Sequence, residues 1–173
     1  MITKYVNNFE ADPLNVEDSR WASANGFCVD ANGKVCVVWE EEKGRWNLPG
    51  GGREAEENPL QNFIREVKEE SQANPVNIKY LHAVHAKHFN DAGNEIDFND
   101  LNDEYKKSTK YCFRYICKLE NIEEFIPRKN GVEIDERKFV TLDELPNYLP
   151  WLTDSYNGLE SFNIFKTELK NII

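Results

Sequence analysis

The sequence predicts an α/β domain in which a mixed β-sheet lies between helices. Three observations carry that reading. Runs rich in Val, Ile, Cys, Phe and Tyr recur at 21–29, 35–39, 78–88 and 110–119, and such runs bounded by turn residues form strands. The segments 58–72 and 159–172 instead carry apolar residues at helical spacing. Strands and helices alternate along the chain, and elements in that order pack as a sheet covered by helices.

Taken in order, the chain opens with one β-prone piece, Ile2 to Val6, and then a polar stretch with Pro13. Residues 1–20 therefore read as an N-terminal extension or an edge strand. Trp21 to Val29 is a strand, and Asn32-Gly33 after it signals a hairpin because both residue types accept positive φ. Val35 to Trp39 returns as a strand that is apolar throughout, which suits a central place. Glu40 to Arg45 is a charged turn leading into Trp46-Asn47-Leu48-Pro49-Gly50. A helix opens at Asn58-Pro59, where Asn caps and Pro suits the first turn. Its Leu60, Phe63, Ile64 and Val67 stand at i, i+3, i+4 and i+7, a stripe for the core. The helix should stop near Gln72, with Asn74 as a left-handed cap and Pro75 preventing continuation.

Ile78 to His88 is β-rich, and from Phe89 the chain turns dense in Asn and Asp. Residues 89–109 read as a polar loop insertion, and loops of that length inside a domain are often functional. Lys110 to Leu119 and Lys138 to Leu142 are further strands. Thr141-Leu142-Asp143-Glu144 resembles a capping box that starts a short helix. Leu159, Phe162, Phe165, Leu169 and Ile172 recur at helical spacing and predict a C-terminal amphipathic helix.

A chain of 173 residues with 40% hydrophobic content suits one domain, 1–173, with a real core. Its apolar runs are too short to span a bilayer, and its start lacks a basic segment followed by an apolar one. Cys28, Cys36, Cys112 and Cys117 show no CxxC pairing and sit in strand-like runs, so buried reduced thiols and a cytoplasmic setting are expected. Twenty-one Lys and Arg against 31 Asp and Glu give a net charge of −10. Such acidity disfavours a nucleic-acid polymer, whose binding rests on basic patches. It is compatible with a small anionic substrate where metal ions invert the local field.

The stretch that carries chemistry is Gly50 to Ala73. Glu66, Glu69 and Glu70 stand at i, i+3 and i+4 and share one helical face. They lie off the apolar stripe and should face outward. An acidic helix face is ordinarily just solvated, but Glu66 and Glu70 form a repulsive i,i+4 pair that Arg65 offsets only in part. A bound cation relieves the remainder, and three carboxylates suit Mg²⁺, a hard ion that takes oxygen ligands. The full spacing is Gly51, five residues, Glu57, seven residues, Arg65-Glu66-Val67, one residue, Glu69-Glu70. It resembles the signature box of the Nudix hydrolases. Six fixed residue types match by chance on the order of once in a million starting points.

The resemblance implies a Nudix-type α/β/α sandwich with a central mixed sheet. It implies Mg²⁺-dependent hydrolysis, with Mn²⁺ as the alternative ion, of the pyrophosphate linkage in a nucleoside diphosphate linked to some group X. By the same resemblance Glu69 and Glu70 are the principal metal ligands. Glu66 is a further ligand or the group that handles the water, and the Gly50 carbonyl is a ligand as well. Glu57 and Arg65 match the family's supporting pair, which bridges loop to helix or orients the glutamates. Many members add an acidic residue after the box; Glu133, Asp135 and Glu136 are candidates, with Glu136 preferred and Glu95 and Asp97 weaker. Surface charge beside a strand explains each of these equally well. One position departs from the family, since Gln72-Ala73 replaces the usual glycine and aliphatic residue. The glycine ligates nothing, so a shifted helix stop with chemistry retained is expected.

Substrate markers help by their absence. No proline occurs between Pro75 and Pro127, so the proline that follows the box in ADP-ribose hydrolases is missing. The arginine-bearing stretch of coenzyme A hydrolases and the proline-rich segment of NADH hydrolases are absent too. Elimination leaves a nucleoside triphosphate or a similar small nucleotide. Trp21, Trp46, Phe89 and Tyr111 offer rings for a base, against the alternative of ordinary core packing. A Nudix-fold binding or sensing domain without turnover is the reading from another class, but degenerate members lose box glutamates that are present here. An isomerase of isoprenoid diphosphates would need a cysteine motif that the chain lacks. His82, His85 and His88 are spaced by three, and on a strand His85 points away from the other two, which argues against a shared metal. Asp97 to Glu104 lacks EF-hand spacing and reads as solvated loop. Many relatives are homodimers; nothing in this sequence fixes the oligomeric state.

Overall fold

Alternation along the strands sorts the apolar side chains into two cores. In the computed structural model, which describes residues 1–127 and 134–173, β2 (Trp21–Val29) sends Ala24 and Cys28 to one face and Phe27 and Val29 to the other. β3 (Val35–Glu40) divides Cys36 and Val38 from Val35 and Val37 in the same way. Successive strand residues point to opposite faces, so each strand serves both cores. Helix α1 (Pro59–Ser71) closes the first core with Phe63 and Val67. Helix α5 (Tyr156–Leu169) closes the second with Phe162, Phe165 and Leu169, and Phe165 stacks on Phe27 at 4.2 Å.

The remaining strands are β1 (Ile2–Asn8), β4 (Arg45–Asn47), β5 (Gly50–Gly52), β6 (Asn74–Phe89), β7 (Tyr111–Glu120) and β8 (Ile134–Val140). They form one sheet in the order β1-β6-β7-β2-β3-β4, with β5 added to β2 and β8 to β3. β2 and β7 run parallel while the other pairs are antiparallel. The mixed sheet between helices is thus the architecture the sequence predicts. Short helices α2 (Asp103–Ser108), α3 (Leu145–Tyr148) and α4 (Trp151–Asp154) complete the chain. No helix among the described residues is long and apolar enough to cross a membrane.

Several boundaries differ from the sequence reading for physical reasons. β4 and β5 lie in the stretch after the charged turn, where the sequence predicts no strand; three-residue strands are too short to show a period. Only Gly33 takes positive φ at the β2–β3 turn, where the Asp30 carboxylate accepts from the Asn32 and Lys34 amides. β8 starts at Ile134, earlier than Lys138. The 89–109 segment is not bare loop, since it contains α2 capped by Asn102. Leu159 is exposed, and Ile172 packs in the core from beyond the end of α5. Cys28, Cys36 and Cys117 are buried free thiols and Cys112 is partly so, with burial pushing Cys28 and Cys36 up.

Helix α1 stops next to Gln72 as the sequence predicts, but the residue that caps it is corrected. Gln72 itself takes the left-handed conformation, φ 50°, while Asn74 already starts β6. For a residue with a side chain this costs roughly 1–2 kcal/mol compared with glycine. The Gln72 amide offsets the cost by clasping the chain after β7: Nε2 donates to the Ile126 carbonyl at 2.7 Å and Oε1 accepts from the Ile126 amide at 3.0 Å.

His82 is fully buried on β6 with one ring nitrogen bonded to Ser161 Oγ at 2.8 Å, and burial holds its pKa down to about 3 against an ordinary 6.5. The folded state therefore excludes a proton that the unfolded chain binds between those values, so stability falls as pH drops through that window. Denaturant titrations at pH 7 and pH 5 should show this loss, and His82→Gln should reduce it.

Candidate active site

Two glycines let the box strand lie against the helix. Gly50 has φ 148°, and a Cβ there would strike the Asn25 backbone of β2, its register partner. At Gly51 a Cβ would stand 2.6 Å from Glu66 Oε1, so the carboxylate rests on bare backbone. Further along α1, Glu70 Oε2 accepts the Gly50 amide proton at 2.8 Å. The capping box that starts α1, with Asn58 and Gln61 bonded reciprocally at 2.9 and 3.0 Å, fixes the helix start and so the placement of these side chains.

Arg65 joins the parts. Its Nε donates to Glu57 Oε1 at 2.7 Å and its Nη2 to Glu57 Oε2 and the Gly52 carbonyl, both at 3.1 Å. Nη1 lies 2.9 Å from Glu66 Oε1 and 3.3 Å from Glu69 Oε2. The pair thus bridges loop to helix and lies in contact with both Glu66 and Glu69. The Arg65 hydrogen bonds hold the Glu57 carboxyl down to about 2, and Glu57 in turn raises the Arg65 guanidinium.

The glutamates do not all face outward. Glu70 is buried, Glu66 is largely covered and Glu69 is the most open of the three. The buried side of α1 is rotated away from Leu60 and Ile64, which are half-buried, towards Asn62, Glu70 and Ser71. Hydrogen bonds to backbone groups, those of the glycine edge for Asn62 Nδ2 and Glu70 and the Val67 carbonyl for Ser71, anchor these polar side chains on the covered side, although the buried Asn62 Oδ1 has no partner among the described residues. Burial pushes Glu70 up to about 8, against the Gly50 hydrogen bond and with the Glu66 and Glu40 charges adding to it. Burial also raises Glu66, opposed by Arg65.

Sequence reasoning missed two contributors. Asn62, fully buried within α1, donates to the Gly52 carbonyl at 2.8 Å and to Glu57 at 3.2 Å. Glu40, read as part of a charged turn, is buried at the end of β3, accepts from Asn47 at 3.1 Å and pairs with Lys43 at 2.8 Å. A polar residue on the apolar side of a helix, and a carboxylate directly after an apolar strand, were the available signals.

The donor set suits a hard cation: three carboxylates and the main chain of a glycine, with Arg65 supplying the positive charge between Glu66 and Glu69. Among the described residues no three acidic, His or Cys side chains already stand at ligand spacing, since Glu66 and Glu69 turn to Arg65 and Glu70 to Gly50. A nearby cation would favour the ionised form of Glu70 and so oppose the effect of burial there. The residues thus fit Mg²⁺ or Mn²⁺ in chemistry.

Other expected site residues lie apart. Glu136 sits within β8 opposite Trp39 and pairs with Lys138 at 3.0 Å, half exposed. Asp135 is exposed beside it, and Glu133 falls outside the described residues. Trp46 packs edge-on against Tyr148 at 5.3 Å, with Lys138 over its ring. Phe89 pairs with Ile2 at the far end of β6, and Tyr111 meets Arg20 and His85, so the structure does not bring these rings together. Trp21 is core. The three histidines have separate neighbours: Ser161 for His82, Tyr111 for His85, Thr3 and Ser108 for His88.

Fold and site together define an α/β/α sandwich that holds an acidic helix against a glycine edge. The model of the NUDIX domain matches residues 19–162. Among solved structures the chain is similar to a mutant of the Bacillus subtilis pyrophosphohydrolase BsRppH, at 19% identity over 96% of this chain and 92% of that one, TM-score 0.66. It is also similar to a Nudix hydrolase from Nitrosomonas europaea (16% identity, 84% and 87% covered, TM-score 0.56). A C. elegans Ap4A hydrolase is a third (16%, 87% and 99%, TM-score 0.54). At such identities these likenesses are of fold. Comparison with curated proteins gives no match. The chain belongs to the Nudix family.

The Glu57–Arg65 fork should be measurable in stability. Glu57→Gln should cost about 1–2 kcal/mol, the value of a charged hydrogen bond discounted for partial exposure. Because the folded-state value of Glu57 is depressed from 4.5 to about 2, its contribution is complete above pH 4.5 and lost as pH falls towards 2. Urea titrations from pH 7 to pH 3 should therefore show the wild-type and variant curves converging at the acid end.

Proposed function

We propose that this Nudix pyrophosphohydrolase cleaves the pyrophosphate linkage of a nucleoside diphosphate linked to X, with a nucleoside triphosphate or similar small nucleotide as substrate. The observation that carries the reading is the contact of Glu70 with the Gly50 amide and of Glu66 with Gly51, which sets two box carboxylates against the glycine edge. Glu69 and Glu70, with the Gly50 carbonyl, would hold Mg²⁺ or Mn²⁺. Bound there, the ion supplies neutralisation of the diphosphate and a more acidic water. Glu66, held 2.9 Å from Arg65, would add a ligand or serve as the group that handles the attacking water. Arg65, fastened to Glu57 and Gly52, keeps Glu66 and Glu69 aimed and does not touch substrate itself. Glu136 is kept as the candidate for an added ligand, although its partner is Lys138. Trp46, Phe89 and Tyr111 remain candidates for base stacking, of which Trp46 lies nearest the box in sequence.

Release of mononucleotide from a panel of nucleotides, with and without Mg²⁺ and Mn²⁺, tests the reaction and identifies X. Cleavage of none would favour a nucleotide-binding or sensing domain. Glu69→Gln, on the most open of the three positions, should lower kcat on the order of a hundredfold or more while its circular dichroism and melting temperature stay at wild-type values. Full turnover by that variant at saturating Mg²⁺ would remove Glu69 from the ligand set.

A further inference from the structure

The polar segment between β6 and β7 builds one wall of a cavity. Its backbone turns back on β6, with the Ile96 amide donating to the His88 carbonyl at 2.8 Å and Asn90 Oδ1 accepting from Ala92 and Asn94. Leu101 is buried and anchors the segment, and Lys106 lies over the Phe98 ring at 5.6 Å. Between this wall and the start of β2 is a space of about 200 Å³.

Its charge runs against that of the chain. Arg20, Lys87 and Lys110 line it with a single carboxylate, Glu95, which pairs with Lys87 at 3.1 Å. Among the described residues no carboxylate lies at ion-pair distance from Arg20 or Lys110; Arg20 meets the hydroxyl and ring of Tyr111, at 3.4 and 5.6 Å. His85, also in the lining, is held low first by burial and then by the Lys87 and Arg20 charges, with Glu95 opposing. In a protein of net charge −10, a recess that gathers unpaired cations concentrates positive potential.

The recess is joined to the box. Ser23 pairs with Gly52, and the three residues back to Arg20 span roughly 10 Å of extended chain. Arg53, directly after Gly52, fills the interval: it pairs with Asp18 at 2.9 Å and lies over the Trp21 ring at 4.7 Å. Cations thus run from the box loop into the cavity.

We propose that this cavity is an anion subsite for a phosphate group remote from the scissile diphosphate, so that nucleotides bearing an additional phosphate are preferred. Its role in specificity rests on the hydrolase reading above; its binding of phosphate does not. Arg20 and Lys110 supply the charge, and the 89–109 insertion supplies the wall.

Isothermal titration of the full chain with inorganic pyrophosphate, without divalent metal, tests binding where Glu66, Glu69 and Glu70 repel the ligand. Wild type should bind, and Arg20→Ala combined with Lys110→Ala should weaken binding about tenfold, as for loss of charge-assisted contacts. Arg20→Gln with Lys110→Gln, which keeps most of each stem, should give the same loss at wild-type melting temperature. In kinetics, the ratio of kcat/KM for guanosine 3′-diphosphate 5′-triphosphate to that for GTP should fall about tenfold in the variant, through KM. No binding by wild type, equal binding by the variants, or an unchanged ratio would overturn the subsite. Pyrophosphate binding that the variants lose, in a chain whose wild type cleaves no nucleotide, would overturn the hydrolase reading and leave the subsite standing.

Discussion

The guanidinium of Arg65 is the constraint on which the site depends. One planar group reaches the loop carboxylate Glu57, the edge carbonyl of Gly52 and two helix carboxylates, Glu66 and Glu69. Loop, strand and helix are thereby fixed relative to one another by a single fork whose geometry a lysine could not reproduce. The same group spreads positive charge under an acidic helix face, so that three glutamates can crowd together before any cation arrives. Asn62 reinforces it from within α1, since it binds the same Gly52 carbonyl and the same Glu57 carboxylate.

Burial and exposure divide the three box glutamates into unlike groups. Glu70 lies deep, against an amide and within reach of the buried Glu40 charge, whereas Glu69 is partly exposed. A buried carboxylate holds its position but resists ionisation; a more exposed one must be held by a partner. Both conditions occur at neighbouring positions of one helix because the glycine edge meets Glu66 and Glu70, one turn apart, and leaves Glu69 to the side.

The architecture and the box were legible because both are written in local pattern. Runs rich in β-forming residues, the Asn58-Pro59 helix start and the Glu66, Glu69, Glu70 spacing need no distant partner to be recognised. What sequence could not supply depends on tertiary contact. The outward orientation expected of Glu70 failed because Gly50, twenty positions earlier, offers its amide to the helix. Asn62 and Glu40 look like ordinary polar residues until the strand edges beside them are known. The three-residue strands β4 and β5 exist only through pairing with β3 and β2, which no window of their own length can show. The 89–109 segment read as featureless polarity, and its short helix is held by Leu101 and Asn102 rather than by propensity.

The end of α1 shows what a lost glycine can provide in exchange. Where a glycine would turn the corner without strain, Gln72 turns it with strain and gains two hydrogen bonds to Ile126, while its carbonyl accepts from the Glu123 amide. The helix that carries the acidic row is consequently tied at its far end to the chain leaving β7. Any tug on that exit segment is felt at the helix, and any movement of the helix must carry the segment along. A position whose usual residue is chosen for conformational freedom has become a mechanical joint.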